Sequence, residues 1–469
     1  MRKTMYKVLM AAAASFTFSA TVLPASISWV QAAEQQQLTE EDLAILQDVY
    51  NTIQSQYIEE VDKKQLLEGA LKGMVSAVGD PYSEYFDAEQ AEAFEEDISA
   101  SFEGIGVQFA IKNGKPVIIS PIDDTPADRA GLLPNDVILK ADDTELIDKT
   151  TNEIVKLIRG PKGSEVKLSI QRGSQIFDVT LVRDTIPVHS VTGELDKENA
   201  EIGYVRITQF AEKTSDELSA KIKELREQGA KRFIFDLRSN PGGLLDQALK
   251  ITNMFSKDGD VLMQVEERGQ EPHKYTANPL FGLFKVTEPY VFLINEGSAS
   301  ASEILAAVVA ENTDAELVGV TTFGKGTVQN VTNQTSLGEL KLTIAKWLTP
   351  NGTWVHEKGV EPTVVVEQQA VARAIQLDTA IELKKGQSSD YVASLALILQ
   401  ALGYEVQSEN YFDDEMEAAV KQFQEANQLE VNGIVTGDTA QLLTDKIREY
   451  LEKNDVQYQK AKEIVLKAE

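Results

Sequence analysis

Two short runs hold the residues best equipped to break a bond: Gly297-Ser298-Ala299-Ser300-Ala301-Ser302-Glu303 and Phe323-Gly324-Lys325-Gly326-Thr327-Val328-Gln329. A serine among small neighbours leaves its hydroxyl open to a substrate carbonyl, and a lysine between glycines can be buried without a clash. Burial disfavours the charged ammonium, lowering the lysine from roughly 10.4 toward the about 7–8 at which an amine works as a base. Ser300 and Lys325 thus have the makings of a nucleophile and its general base. Val291-Phe292-Leu293-Ile294 reads as a strand and Ile304-Leu305-Ala306-Ala307-Val308-Val309 as a helix, which puts Ser300 where one hands over to the other. Unpaired N–H groups and the positive end of the helix dipole there suit an oxyanion. The plainer alternative is that Ser300-Ala301-Ser302-Glu303 only caps a helix and that Lys325 is a solvated loop residue. Ser298 and Ser302 are competing nucleophiles.

Composition narrows the field. The 469 residues allow about three or four domains. No cysteine is present, so disulfides, zinc thiolates and a cysteine nucleophile are excluded. His189, His273 and His356 lie far apart with no metal-like spacing, and neither a metal nor any other cofactor is expected. The formal charge of −29 makes nucleic acid a poor partner. Residues 1–32 begin with Arg2, Lys3 and Lys7, continue through an Ala/Ser/Phe/Val stretch and end at Val30-Gln31-Ala32. This pattern reads as a secretory signal cleaved after Ala32, with an uncleaved anchor as the alternative, and points to an extracytoplasmic protein.

The elements that must position the two runs fall into modules. Residues 37–100 carry amphipathic helices, with Leu43, Leu46, Val49 and Ile53 on one face and Leu67, Leu71, Met74 and Val78 on a second. Their core is thin, so they are expected to pack on another domain or subunit. Residues 101–185 turn to short β-rich runs separated by glycines and resemble a circularly arranged PDZ domain of the bacterial protease type. That resemblance implies a peptide site at Gly104-Ile105-Gly106-Val107, with backbone N–H groups cradling a terminal carboxylate and a strand edge pairing with the peptide. Residues 186–383 alternate strand and helix, the pattern of a largely parallel sheet with active groups at strand ends. Residues 384–450 resemble the small helical peptidoglycan-binding domain of bacterial wall enzymes, against a generic three-helix bundle as the plain reading. Residues 451–469 read as a charged helix or tail with no readable chemistry.

Five motifs in order carry a wider resemblance. Asp80-Pro81-Tyr82-Ser83-Glu84-Tyr85-Phe86, Leu157-Ile158-Arg159-Gly160-Pro161-Lys162-Gly163, Asp236-Leu237-Arg238-Ser239-Asn240-Pro241-Gly242-Gly243, the serine and lysine runs 25 residues apart, and Lys358-Gly359-Val360-Glu361-Pro362 resemble the carboxy-terminal processing peptidases, or tail-specific proteases, over residues 38 to 370. The resemblance implies a multidomain α+β protein with a crotonase- or ClpP-like α/β peptidase core. It also implies a Ser300/Lys325 endopeptidase acting between membrane and wall on protein substrates whose carboxyl ends reach the PDZ domain. In it Gln329 orients Lys325, the Gly242 and Ala301 amides form the oxyanion hole, and the N-terminal helices pair protomers into a homodimer. Lys325 and Gln329 are about 6 Å apart along a helix but about 13 Å along a strand, so direct orientation of the lysine requires a turn or helix there. Arg159, at the end of a PDZ helix, is a regulatory candidate expected to reach the peptidase core when the domains dock. An inert PDZ and wall-binding scaffold and a crotonase-like acyl-thioester enzyme are the rival readings.

Overall fold

The computed structural model describes residues 37–122, 124–335 and 338–468. The proposed signal segment, residues 1–32, lies outside the described residues. The chain divides into two compact units, one ending at Leu67 and one from Glu68 onward.

In the first unit, helix α1 (Glu40–Gln56) starts at Thr39, whose side chain and backbone exchange hydrogen bonds with Asp42 in a capping box. Leu43, Leu46 and Val49 are exposed by 52, 54 and 56%, so this face has no cover of its own. Helix α2 (Lys63–Ser76) begins in the first unit.

Among the described residues, the second unit contains four hydrophobic clusters. Strand β1 (Glu84–Asp87) and helix α3 (Ala88–Ser99) lead to the PDZ domain: β2 (Ser101–Gly104), β3 (Val107–Lys112), β4 (Lys115–Pro121), α4 (Pro126–Arg129), β5 (Val137–Ala141), β6 (Thr144–Glu145), α5 (Thr151–Ile158), β7 (Glu165–Arg172), β8 (Gln175–Val182) and β9 (Asp184–Pro187). Its sheet runs β3-β4-β5-β7-β8, with β3 at an edge, around Ile118, Leu132, Ile138, Leu146 and Leu168. The entering strand β2 pairs antiparallel with the leaving strand β9, so the domain joins the rest by a two-stranded ribbon.

The peptidase core comprises β10 (Val191–Leu195), β11 (Ile202–Ile207), α6 (Thr214–Glu227), β12 (Arg232–Asp236), α7 (Leu245–Met254), β13 (Val261–Glu267), β14 (His273–Thr276), β15 (Tyr290–Ile294), α8 (Ala301–Asn312), β16 (Glu316–Gly319), β17 (Thr327–Thr335), β18 (Gly338–Leu348) and β19 (Val364–Val365). One sheet, in the order β10-β11-β12-β15-β16-β19, is parallel except for β10. Its strands are apolar on both faces, as Phe233, Ile234, Phe235 and Val291, Phe292, Leu293 show, because helices cover both sides. The parallel expectation misses the second sheet, β1-β18-β13-β14 with β17 also on β18, which is antiparallel. Strand β1 comes from more than 240 residues upstream, so local patterning gives no sign of it.

The C-terminal region holds α9 (Asp390–Ala401), α10 (Asp414–Ala426), α11 (Gly437–Lys453) and α12 (Val456–Lys467). The first three helices share a core that begins at Val371 and includes Leu395, Phe412, Phe423 and Leu443. Of the charged helix or tail expected past residue 450, the helix is what forms. Helix α12 lays fully buried Ala461 and Val465 against Ile234, Val291, Leu293 and Val318, closing the second face of the parallel sheet. Its charges stay on the outer side except for Lys462, which pairs with Asp196 at 2.7 Å, and so composition alone hides its role.

Candidate active site

Ser300 stands directly before α8, at φ 56° and ψ −112°. A positive φ at a residue with a Cβ costs about 1–3 kcal/mol and persists only where the surroundings enforce it. Here they do. Gly242, itself at φ 100°, packs so closely that a Cβ on it would lie 2.8 Å from Ser300 Cβ and 2.9 Å from the Ala301 nitrogen. The Ser239 amide donates to Asn295 Oδ1 at 2.7 Å and the Ala299 amide to the Asn240 carbonyl at 2.9 Å, locking the two loops together.

The three serines separate cleanly. Ser298 is fully buried and its hydroxyl donates to the Leu237 carbonyl at 2.8 Å; Ser302, equally buried, donates to the Asn240 carbonyl at 3.0 Å. Both fasten the serine loop to the loop after β12. Ser300 is the partly exposed one.

Glu303 is the residue that sequence reasoning undervalued. The capping-box pattern is visible, and the Ser300 amide does donate to Glu303 Oε2 at 2.7 Å. The carboxylate is nevertheless wholly buried and also receives the Lys325 amide at 2.8 Å, the Gly324 amide at 2.7 Å and the Thr322 hydroxyl at 2.6 Å. One carboxylate thus rivets the serine turn to the lysine loop, with four charge-assisted donors offsetting its burial.

Lys325 has its affinity for a proton lowered, chiefly by burial and next by the nearby Lys341 charge, against the opposing pull of Glu303 and Asp80. Its Nζ lies 5.2 Å from the centre of the Tyr82 ring. Trp347 holds the loop from below by donating to the Lys325 carbonyl at 2.8 Å, and Trp354 does the same for Gly326 at 2.8 Å. His356, which sequence leaves as an ordinary residue, stacks on Trp354 and accepts weakly from the Gly326 amide at 3.4 Å. Among the described residues no hydrogen bond joins Ser300 Oγ, Lys325 Nζ and Gln329.

Gln329 belongs to β17, so the expected turn or helix does not form at residues 327–329; Lys325 and Gly326 precede the strand and are not bound by its extended spacing. The register with β18 shifts between Val328 and Gln329, where Ile344 of β18 has no opposite residue, and the Gln329 amide nitrogen donates to Thr327 Oγ1 at 2.9 Å and Thr343 Oγ1 at 3.0 Å. Of the two oxyanion candidates, Ala301 heads α8 and its N–H has no partner among the described residues. The Gly242 amide donates to Asn240 Oδ1 at 2.9 Å, so in this conformation it is engaged.

In the PDZ domain, the Ile105 carbonyl accepts from the Ala127 amide at 2.8 Å and the Gly106 carbonyl from Ile122 at 2.9 Å, while the Ile105 and Gly106 amides have no partner among the described residues. Gly106 adopts φ 77° against Thr125, whose Cβ would lie 2.3 Å from a Cβ at this position, so only glycine fits. Val107 opens edge strand β3. Arg159 does not reach the peptidase core. Its guanidinium lies 4.3 Å from the Phe102 ring centre and pairs at 2.7 Å with Glu96 of α3, because the turn after α5 faces the segment leading into β2.

A buried-lysine, helix-start serine site on an α/β core, beside a PDZ domain, defines a serine-type peptidase. Residues 201–366 match the model for peptidase family S41, 104–182 a PDZ domain, 388–443 a putative peptidoglycan binding domain and 8–90 the N-terminal domain of the activating protease CtpB. The carboxy-terminal processing protease CtpA of Bacillus subtilis (strain 168) is 43% identical over 423 residues, covering 90% of each chain. CtpB of the same organism is 36% identical over 422 residues, 89% of this chain and 87% of that one. A probable CtpA-like serine protease of Staphylococcus epidermidis is 36% identical over 415 residues, 88% of this chain and 84% of its own. The chain therefore belongs to the carboxy-terminal processing proteases.

Proposed function

We propose that this chain is an exported endopeptidase with a Ser300/Lys325 dyad, acting between membrane and cell wall. The observation that carries the dyad is the Glu303 carboxylate, which takes the Ser300 and Lys325 amides at 2.7 and 2.8 Å and so holds nucleophile and base in one frame. Neutral Lys325 accepts the Ser300 proton as Oγ adds to the scissile carbonyl. The resulting ammonium then protonates the leaving amine as the C–N bond breaks, and water hydrolyses the acyl-serine by the same route. Gln329 orients Lys325. The Ala301 amide stabilises the oxyanion from the start of α8, and the Gly242 amide joins it once it leaves Asn240 Oδ1.

The PDZ site at Gly104, Ile105, Gly106 and Val107 takes the substrate's carboxyl end, with β3 offering the edge for strand addition. Arg159 regulates docking. The exposed face of α1 pairs two protomers, and the helical module at residues 384–450 binds peptidoglycan; the basic N-terminal segment supports export. Casein cleavage by the purified mature protein tests the central assignment. Ser300→Ala abolishes turnover while Ser298→Ala and Ser302→Ala retain a measurable fraction of it. A Ser300→Ala protein that cleaves casein normally would remove the nucleophile assignment.

A further inference from the structure

The Asp80-Pro81-Tyr82-Ser83 turn, whose Asp80 charge and Tyr82 ring border Lys325, also lies against β18 at an informative place. Strand β18 pairs with β17 along one edge, while its other edge is shared by β1, at residues 338–341, and β13, at residues 345–348. Residues 342–344 fall in the gap between those two strands. The turn fills that gap: the Thr343 amide donates to Ser83 Oγ at 3.0 Å, and both the Ser83 and Thr343 hydroxyls donate to Asp80 Oδ2, at 2.5 and 2.6 Å. Thr343 Oγ1 in turn accepts from Gln329 Nε2 at 3.0 Å.

We propose that Asp80 and Thr343 are positioning residues for catalysis, fixing which end of the Gln329 amide is presented to Lys325. The inference rests on the Ser/Lys reading above. Its logic is the donor and acceptor inventory. An ionised carboxylate only accepts, so the single hydroxyl proton of Thr343 goes to Asp80. The Thr343 oxygen then has only acceptor capacity left, and it can meet only the NH₂ end of Gln329. The second hydrogen of that NH₂ is taken by Thr327 Oγ1 at 2.9 Å. Both amide hydrogens are accounted for, which leaves Oε1 as the free, acceptor end.

A neutral lysine amine has two N–H bonds and one lone pair. When Gln329 Oε1 accepts one N–H, the amine can no longer spin, and its lone pair is available to the Ser300 proton. Asp80 remains ionised where this is needed: burial would raise its carboxyl, but the Ser83, Thr343 and Tyr82 hydrogen bonds outweigh that and hold it below its ordinary value. Tyr82 of the same turn borders Lys325 through its ring.

The test is a double-mutant cycle on the full mature protein, read as kcat and KM for a fluorogenic peptide with thermal melting alongside. Thr343→Val keeps the volume but removes the hydroxyl; kcat falls about tenfold or more with KM within about twofold, and Thr343→Ser restores most of the loss. In a Gln329→Ala background, Thr343→Val costs nothing further, because its effect passes through Gln329. Asp80→Asn, which offers an NH₂ group to Thr343 and can reverse the sense of the chain, serves as the second variant should Thr343→Val melt early. It too lowers kcat in the wild type and is silent beside Gln329→Ala. Additive losses in the Gln329→Ala background, or wild-type kcat in Thr343→Val and Asp80→Asn, overturn the relay while leaving the dyad intact. An active Ser300→Ala protein in the same assay would instead overturn the underlying reading.

Discussion

Lys325 combines chemistry and strain on the fold in one side chain. Its depressed proton affinity means that its amine is neutral over more of the ordinary pH range than a surface lysine's. Activity accordingly rises with pH and levels off before the 10.5 of a free lysine. The same shift has a stability sign. Between the lowered value in the fold and 10.5 in the unfolded chain, the unfolded chain binds the extra proton, so this residue's contribution to stability improves with rising pH through that window. Lys325→Met therefore abolishes proteolysis yet melts higher than the wild type at neutral pH, and the gap shrinks as pH approaches 10.5; an equal gap at every pH would contradict a desolvated lysine. At this scale the sequence was partly legible. The spacing of Ser300 and Lys325 and the Ser300-x-x-Glu303 pattern are visible in one dimension. What Glu303 does is not, because its other three donors lie about 20 residues further on and only the fold brings them in.

Helix α12 shows how an element can be read correctly as charged and still be misjudged. Lys460, Glu463 and Lys467 face outward, Lys462 turns in to pair with Asp196 at 2.7 Å, and Ala461 and Val465 cover the parallel sheet. It also grips the loop after β12. Arg238 pairs with Asp236 at 2.6 Å and with Asp455, just before α12, at 2.7 Å; its hydrogen bond to Gln457 Oε1 is 3.1 Å. Asp236 and Arg238 belong to the run that continues through Gly242 and Gly243, so the C-terminal helix helps to fix the backbone beside Ser300. Removing one partner from a buried ion pair costs about 3–5 kcal/mol. Asp455→Ala leaves the second contact, to Asp236, in place and so costs less than that, whereas ending the chain at residue 454 exposes Ile234, Val291, Leu293 and Val318 together. Circular dichroism melts should show a modest loss for Asp455→Ala and a large loss, or aggregation, for the truncation. Equal stability of the truncated and full chains would mean that α12 is dispensable packing. The β-α alternation that predicts the parallel sheet is local, and it succeeds; the antiparallel sheet depends on β1 meeting β18 from far upstream, and local signals miss it.

At the scale of the whole molecule, the PDZ domain hangs on the β2–β9 ribbon, and Arg159 ties it to α3 rather than to the peptidase core. The Arg159–Glu96 pair is about one-third exposed on each side, 39 and 31%, and such pairs contribute about 0–1 kcal/mol. Its loss should hardly move the melting temperature. If the pair governs docking, Arg159→Ala lowers cleavage of PDZ-binding protein substrates severalfold, with the affinity for a free carboxyl-terminal peptide unchanged; unchanged cleavage as well would reduce Arg159 to a surface contact. All of these arrangements serve one claim, that Ser300 is activated by a neutral Lys325. The most direct measurement is covalent labelling of the mature protein by a fluorophosphonate, with the modified residue found by peptide mass spectrometry and the rate followed against pH. The account expects the adduct on Ser300, a rate that rises with pH as Lys325 loses its proton, and no labelling in Lys325→Ala. An adduct on Ser298 or Ser302, or undiminished labelling of Ser300 in Lys325→Ala, would contradict it.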